Sequence, residues 1–144
     1  MIIIVETQTA GEQKNMCVIN KHPFEPNEIP QFGYKVLFID NKGSLHSPIY
    51  NEQLYPRKRW IKDNCDHGFT CYFTLEDATP FFNDQKVIQY STVQSCIIAK
   101  VKVRNVILKG TNCYSGLVDV PCFTTKEMKI EEIIEQYPKQ EVPQ

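Results

Sequence analysis

The sequence lacks the features that mark most secreted and membrane proteins. Its first apolar run, MIIIV, is only five residues long, is followed by Glu6 and has no basic region before it, so it does not fit a signal peptide. No stretch of the 144 residues approaches the roughly 20 apolar residues of a membrane-spanning helix. A formal net charge of −1 also excludes the strong global field that drives non-specific binding to nucleic acids or membranes. We therefore expect a cytoplasmic protein without a membrane partner.

Patterns typical of metal and redox sites are missing as well. Six cysteines are present, but no two of them have C-x-x-C spacing. Cys65 and Cys71 are separated by five residues, and Cys113 and Cys122 by eight, which does not fit the usual zinc spacing. Without a secretory signal we expect reduced thiols that pack as small hydrophobic groups. His67 lies between Cys65 and Cys71, but Cys71 belongs to an alternating strand and is expected in the core. We predict no metal, no cofactor and no catalytic residue.

The composition is that of a globular protein rich in strands. Apolar residues make up 42% of the chain and charged residues 23%. A chain of 144 residues can form one domain with its own core. We expect a single domain over residues 1–144. Within it, residues 1–33 would form N-terminal strands and a proline-rich connector, 34–137 the core, and 138–144 a flexible tail.

The stretch HGFTCYFTLEDATPFF, residues 67–82, joins an alternating strand to a helix. Thr74 is a natural N-cap, because its hydroxyl can accept a hydrogen bond from a free N–H of the first turn. Pro80 would interrupt a long helix, so either the helix is one turn or Thr79 is a second cap with Pro80 in the first turn. We expect a short, bent helix that ends at Phe82.

The segment TTKEMKIEEIIEQYP, residues 124–138, is the strongest helix candidate. Thr124 and Glu127 fit a capping box, and the isoleucines and Tyr137 recur with helical spacing. A strand through EMKI followed by a shorter helix is the alternative. With the hairpin predicted at YKVLFID-NKG-SLHSPIY, these features predict an α+β fold: a mostly antiparallel sheet with two short helices on one face.

A basic segment marks the candidate binding site. The polar stretch NEQLYPRKRWIKDNCDHG, residues 51–68, is predicted to be a long surface loop. It places cationic side chains around the only tryptophan, a composition typical of interface hot spots and of surfaces that bind phosphates or bases. A strand further along the chain should expose Lys100, Lys102 and Arg104, which would extend the basic surface if it lies nearby. The predicted binding residues are Arg57, Lys58, Arg59, Trp60, Lys62, His67 and Tyr72.

Five segments in order resemble a loose set of uncharacterised small proteins, many of them encoded by phages and mobile elements. The segments are GYKVLF, SPIY, HGFTCYFTLEDA, IIAKVKV and KEMKIEEI, within residues 34 to about 132. The shared pattern reads YKxF…GFHxFxTxEDA…VxKVxV. This chain departs from it at Thr70, where a histidine is common. The resemblance implies a phage or mobile-element accessory factor.

The same strand-to-helix step is also similar to part of the ADP-ribosyltransferase fold. Thr74, Ala78 and Phe81 match its middle portion, and His46 with Glu127 or Glu131 would have to complete the site. That resemblance implies a degenerate domain that binds NAD or a related nucleotide.

Three functions follow from these observations. The leading hypothesis is a non-enzymatic binding protein that engages a host protein. The alternatives are the degenerate ADP-ribosyltransferase-like domain and a nucleic-acid-binding module. A deep cleft would favour the first alternative and a continuous basic face without a cleft the second, whereas a flat surface centred on Trp60 would favour the protein-binding hypothesis.

Overall fold

The computed structural model describes residues 18–47, 53–63, 68–87, 93–112 and 119–138. Its regular structure consists of β1 Ile19–His22, β2 Phe32–Asp40, β3 Leu45–His46, β4 Trp60–Lys62, β5 Phe69–Tyr72, α1 Leu75–Gln85, β6 Val93–Asn112 and β7 Val120–Tyr137. A 3-10 turn at Pro26–Glu28 lies between β1 and β2. All strand pairings among the described residues are antiparallel.

The strands form a sheet that closes on itself. The long strand β6 pairs with β2 along one edge and with β7 along the other. The short strand β5 completes the circuit, because it pairs with β7 and, at Tyr34 and Tyr72, with β2. The strands β1, β3 and β4 extend this circuit at its edges. Closure of the circuit gives the sheet an inside and an outside.

Each face of the sheet has its own apolar core, because side chains alternate between faces along every strand. The inner core contains Leu37, Ile39, Leu45, Tyr55, Ile61, Phe69, Cys71, Ile97, Ala99, Val101, Val103, Phe123, Met128 and Ile130. The outer core contains Val18, Val36, Phe38, Tyr72, Ala78, Phe81, Phe82, Cys96, Ile98, Val120 and Cys122. The expected division of β5 is therefore observed, with Cys71 inside and Tyr72 outside.

The inner core is packed too tightly for a side chain at position 33. A Cβ on Gly33 would lie 2.8 Å from the ring of Phe123 and 2.9 Å from the Cβ of Cys71. Contacts this short do not occur without movement of the neighbouring groups. Glycine in β2 thus permits the close approach of the strands around it.

The helix α1 covers part of the outer face. It begins as the sequence predicts, since the hydroxyl of Thr74 accepts a hydrogen bond of 3.0 Å from the backbone N–H of Asp77. It runs beyond Phe82 to Gln85, with Pro80 inside it. Pro80 removes one helical N–H, and the hydroxyl of the preceding Thr79 donates a 2.8 Å bond to the Leu75 carbonyl.

The prediction of two helices was wrong. The segment expected to be the C-terminal helix is part of β7, which pairs with β6 along most of its length. Helical spacing of its isoleucines is a local signal, and β-branched residues pack equally well on a sheet when partners are present on both sides. Thr124, the expected cap, is buried inside the strand. The alternative strand through EMKI is observed, but no helix follows it.

The prediction of a continuous loop over residues 51–68 was also wrong. Trp60–Lys62 forms β4, which pairs with β7 through Ile61 and Met128. The predicted hairpin is confirmed, because β2 pairs with β3 at Phe38 and His46 and the turn between them contains Gly43 at a φ of +84°. Strands expected within residues 1–17 lie outside the described residues. In the part of the chain that is described, no helix is long and apolar enough to cross a membrane.

Candidate functional site

The outer face of the sheet is divided into two halves along β6. At one end Cys96 and Ile98 lie in the outer core beneath α1, which we call the covered half. Two residues further on, the same face of the strand carries Lys100 and Lys102, and then Arg104. Lys100 and Lys102 are half-buried and Arg104 is exposed, and we call this region the open half. The sequence correctly predicted that Lys100, Lys102 and Arg104 share a face opposite the inner core, but only Arg104 is exposed, whereas the two lysines are half-buried.

A single row of side chains crosses the open half. Phe32 of β2 pairs with Lys102 of β6, Lys102 pairs with Lys129 of β7, and Lys129 pairs with Trp60 of β4. Directly paired residues point to the same face of a sheet. Phe32 is 39% exposed and Trp60 36%. Two lysines therefore lie side by side with an exposed aromatic ring at each end, and we call these four residues the cross-strand row.

Cations lie over both rings of the row. The guanidinium carbon of Arg104 lies 3.9 Å from the centre of the Trp60 ring, and the ammonium of Lys129 lies 5.9 Å from it. The ammonium of Lys100 is 4.6 Å from the centre of the Phe32 ring. These distances are those of cation–π contacts, which fix the orientation of exposed rings that would otherwise rotate.

Glu127 holds Arg104 in place against the tryptophan. Its carboxylate accepts a 2.8 Å bond from the Nε of Arg104 and a 2.5 Å bond from the side-chain amide of Asn105. The hydrogen bond from Arg104 is the main reason why the pKa of Glu127 lies below its ordinary value. Lys62 pairs with Glu127 across the strands and adds positive charge to the same edge.

The turn before β4 positions Trp60. Lys58 adopts a positive φ of 63°, its backbone N–H donates to the carbonyl of Ile130 at 3.2 Å, and its ammonium donates to the carbonyl of Glu131. These bonds attach the turn to β7. Arg57 and Arg59 on either side of Lys58 are exposed, so the basic segment borders the open half.

The structure brings only some of the predicted binding residues together. Trp60 and Lys62 lie in the open half, with Arg57, Lys58 and Arg59 at its border. Tyr72 is 5% exposed, packs against Phe81 beneath α1 and donates a 3.3 Å hydrogen bond to Asn112. It therefore belongs to the covered half and not to the surface. His67 lies outside the described residues.

Sequence reasoning missed Phe32 and Lys129. Phe32 follows the proline-rich connector, so nothing local marked it as part of a basic surface. Lys129 lies in the segment that was predicted to be a helix. A consistent assignment of residues 127–131 to a strand would have placed Lys129 on the exposed face, because Met128 and Ile130 alternate with it.

The described residues offer little for metal or thiol chemistry. They contain no group of three His, Cys, Asp or Glu side chains that could hold a metal ion. Cys71, Cys96 and Cys122 are buried thiols, and burial raises the pKa of Cys71 to about 11 and that of Cys96 to about 12. Both thiols are protonated at neutral pH and are poor nucleophiles. Cys17, Cys65 and Cys113 lie outside the described residues.

Among the residues matched to the ADP-ribosyltransferase fold, Glu127 lies in the open half and is bonded to Arg104, whereas Thr74, Ala78 and Phe81 have structural roles in and around α1. Thr74 caps α1, and Ala78 and Phe81 lie on the buried side of α1, where they join the outer core. His46 stacks edge-on against Phe38, with 6.0 Å between ring centres. Comparison with protein-family models, with curated proteins and with solved structures finds no match for this chain. The function of the open half is therefore inferred from its geometry and chemistry alone.

Proposed function

We propose that this protein is a non-enzymatic binding protein that engages an anionic macromolecule through the open half of its sheet. One observation carries the proposal: Lys102 and Lys129 are direct cross-strand partners. Like charges directly opposite each other destabilise a sheet. A bound anion between the two ammonium groups would remove that repulsion.

Nearby acids relieve the repulsion only in part. The ammonium of Lys129 lies 3.8 Å from a carboxylate oxygen of Glu131. Lys102 makes no ion pair within the described residues. The neighbouring rows, in contrast, pair opposite charges: Lys100 faces Glu132, and Arg104 faces Glu127. The row with two lysines is the exception, and exceptions to local pairing rules are expected at functional sites.

The setting that we propose follows the resemblance of residues 34 to about 132 to small phage and mobile-element proteins. An accessory factor that acts by binding to its partner needs no catalytic groups. The open half supports this role through its exposed tryptophan with arginine stacked on it, since Trp and Arg are the residues most often found at binding hot spots.

Heparin-affinity chromatography tests the proposal with a defined polyanion. We expect the wild type to be retained and Lys102→Glu to elute at lower salt. Lys42→Glu is the matched control, because it makes the same charge change in the exposed turn at the other end of β2 and should elute close to the wild type. Equal elution of the two variants, with both folded by circular dichroism, would show that net charge alone and not the open half governs retention.

A further inference from the structure

We infer that the macromolecule bound by the open half is a single-stranded nucleic acid. This inference rests on the function proposed above and specifies its ligand. Charge complementarity favours an anion for Lys102 and Lys129. The two exposed rings at the ends of the same row favour a ligand that also has flat apolar surfaces. Nucleic acid supplies both: phosphates for the ammonium groups and flat bases for the rings.

The dimensions of the row suit a short run of nucleotides. Phe32 and Trp60 lie on strands separated by β6 and β7. With neighbouring strands about 4.8 Å apart, three spacings put the two rings about 14 Å from each other. At roughly 3.4 Å per nucleotide this distance spans about four stacked nucleotides, or fewer when the strand is extended. Site sizes of small sheet proteins that bind single strands begin at about this value.

The two ends of the row differ in what they present to a base. At the tryptophan end, the side chain of Arg104 is 51% exposed while it lies on the indole. A guanidinium plane stacks on bases as an aromatic ring does. At the other end, Lys100 lies over Phe32 and can contact a phosphate beside a stacked base. Stacking uses the flat face that every base has, so we expect binding that tolerates any sequence.

Other anions fit the row less well. A duplex keeps its bases stacked inside and would offer no free base face to either ring or to the cations on them. Its major groove, about 12 Å wide, accepts a helix or a two-stranded ribbon and not a face of four strands. An acidic protein segment would pair with the lysines, but it could cover the rings only where it also carries aromatic side chains at the right spacing, whereas every nucleotide carries both a phosphate and a flat base. The two rings therefore favour unpaired bases over a duplex and over an acidic protein segment.

The fluorescence of Trp60, the only tryptophan, reports directly on this site. We expect an oligothymidylate of about 12 nucleotides, long enough for a single small binding face, to quench that fluorescence on binding. The logarithm of the association constant should fall linearly with the logarithm of the salt concentration, with a slope of about −0.7 per phosphate contacted. Lys102→Ala should make this slope shallower by about 0.7.

Two aromatic variants separate stacking from charge. Phe32→Ala, followed by Trp60 fluorescence, and Trp60→Ala, followed by anisotropy of a labelled oligonucleotide, should each weaken binding roughly 5- to 150-fold, the range for a lost stacked base. Tyr137→Ala is the matched control, because Tyr137 is also exposed, at 48%, and also lies under a cation, with the Lys86 ammonium 5.2 Å from its ring centre. It should bind like the wild type.

Polyglutamate and a duplex of the same length complete the experiment. Tighter binding of polyglutamate than of the oligonucleotide, without quenching, would overturn the nucleic-acid inference and leave the proposed anion-binding function standing. Equal binding of the duplex and the single strand would also overturn the inference. If neither polyanion nor oligonucleotide binds the folded wild type, the proposed function falls as well.

Discussion

The two halves of the outer face share strands of the same sheet but differ in the side chains that these strands present. In the covered half, Ile98 and its neighbours are apolar and lie under the aromatic side chains of α1. In the open half, Lys100 and Lys102 of the same strand are charged, and partly exposed aromatic rings, further cations and a few glutamates surround them. The change occurs within two residues of β6.

This difference indicates that the open half is not a surface for packing a second apolar layer. A sheet face that packs against a second apolar layer would continue the pattern of Cys96 and Ile98, because such layers stabilise each other by burying apolar area. The open half instead places like charges next to each other. It is suited to a polar ligand that brings negative charge and flat surfaces.

The helix itself carries the opposite charge to the open half. A shallow groove on its outer side is lined by Glu76, Thr79, Pro80, Asn83 and Asp84. Its two carboxylates would repel an anionic ligand, whereas the cations of the open half would attract it. The molecule therefore has a basic and an acidic surface despite a net charge of −1.

The largest effect that separates the halves should come from Phe82→Ala in the covered half. Phe82 of α1 is 5% exposed and packs in the outer core, and truncation of a buried phenylalanine costs about 3–5 kcal/mol of unfolding free energy. Urea unfolding should show this loss, while affinity for an anionic ligand per folded molecule stays unchanged. Trp60→Ala should show the reverse. A loss of stability as large for Trp60→Ala as for Phe82→Ala would remove the distinction between the halves.

Thiol accessibility sharpens the same comparison. Burial raises the pKa of Cys96, in the covered half, to about 12, so its thiolate is scarce at pH 8. We expect iodoacetamide to modify Cys96 only when the fold opens, as read by mass spectrometry of peptides. Phe82→Ala should increase its rate of modification. Rapid modification of Cys96 in the native wild type would mean that α1 does not seal this half.

The cap of α1 should have a smaller effect. Thr74→Ala removes the acceptor for the N–H of Asp77 and should cost about 0.5–2 kcal/mol. Thr74→Ser keeps a hydroxyl and serves as the control. An unfolding midpoint for Thr74→Ala that equals that of Thr74→Ser would show that the cap contributes nothing to the cover over this half.

The smallest effect concerns Glu127 in the open half. Its pKa lies below the ordinary value, chiefly because Arg104 donates a hydrogen bond to it. The stability linked to this depressed pKa is therefore present above the ordinary value and is lost as the pH falls through the folded-state pKa. Arg104→Ala should move the pKa of Glu127 upward, as followed by NMR titration of the carboxyl carbon. An unchanged pKa would show that Arg104 does not stay on Glu127 in solution.

Local signals in the sequence predicted the parts of the fold that depend on neighbours in the chain. The hairpin of β2 and β3 follows from its turn, and the start of α1 follows from Thr74, because both depend on groups a few residues apart. The position of Lys100 and Lys102 on the outer face follows from simple alternation in β6.

The parts that depend on distant partners could not be predicted in this way. β7 carries helical spacing, yet β6 on one side and β4 and β5 on the other satisfy its backbone as a strand. The cross-strand row consists of Phe32, Lys102, Lys129 and Trp60. Each of these residues comes from a different strand, and they are at least 27 positions apart in the sequence. From the sequence, Trp60 with its basic neighbours and the face of Lys100, Lys102 and Arg104 could be predicted separately, but not that they meet, nor that Phe32 and Lys129 join them.

The central claim is that the open half keeps a repulsive pair of lysines for the sake of an anionic ligand. Urea unfolding of the wild type and of Lys102→Glu, each with and without the oligothymidylate, tests it most directly. Without the oligonucleotide, Lys102→Glu should be the more stable protein by roughly 0.2–1 kcal/mol, since it faces Lys129 with an opposite charge. With the oligonucleotide at about 100 times its Kd, the wild type should gain about 2.7 kcal/mol and become the more stable of the two. A variant that is no more stable than the wild type alone, or an equal gain for both proteins, would contradict the claim.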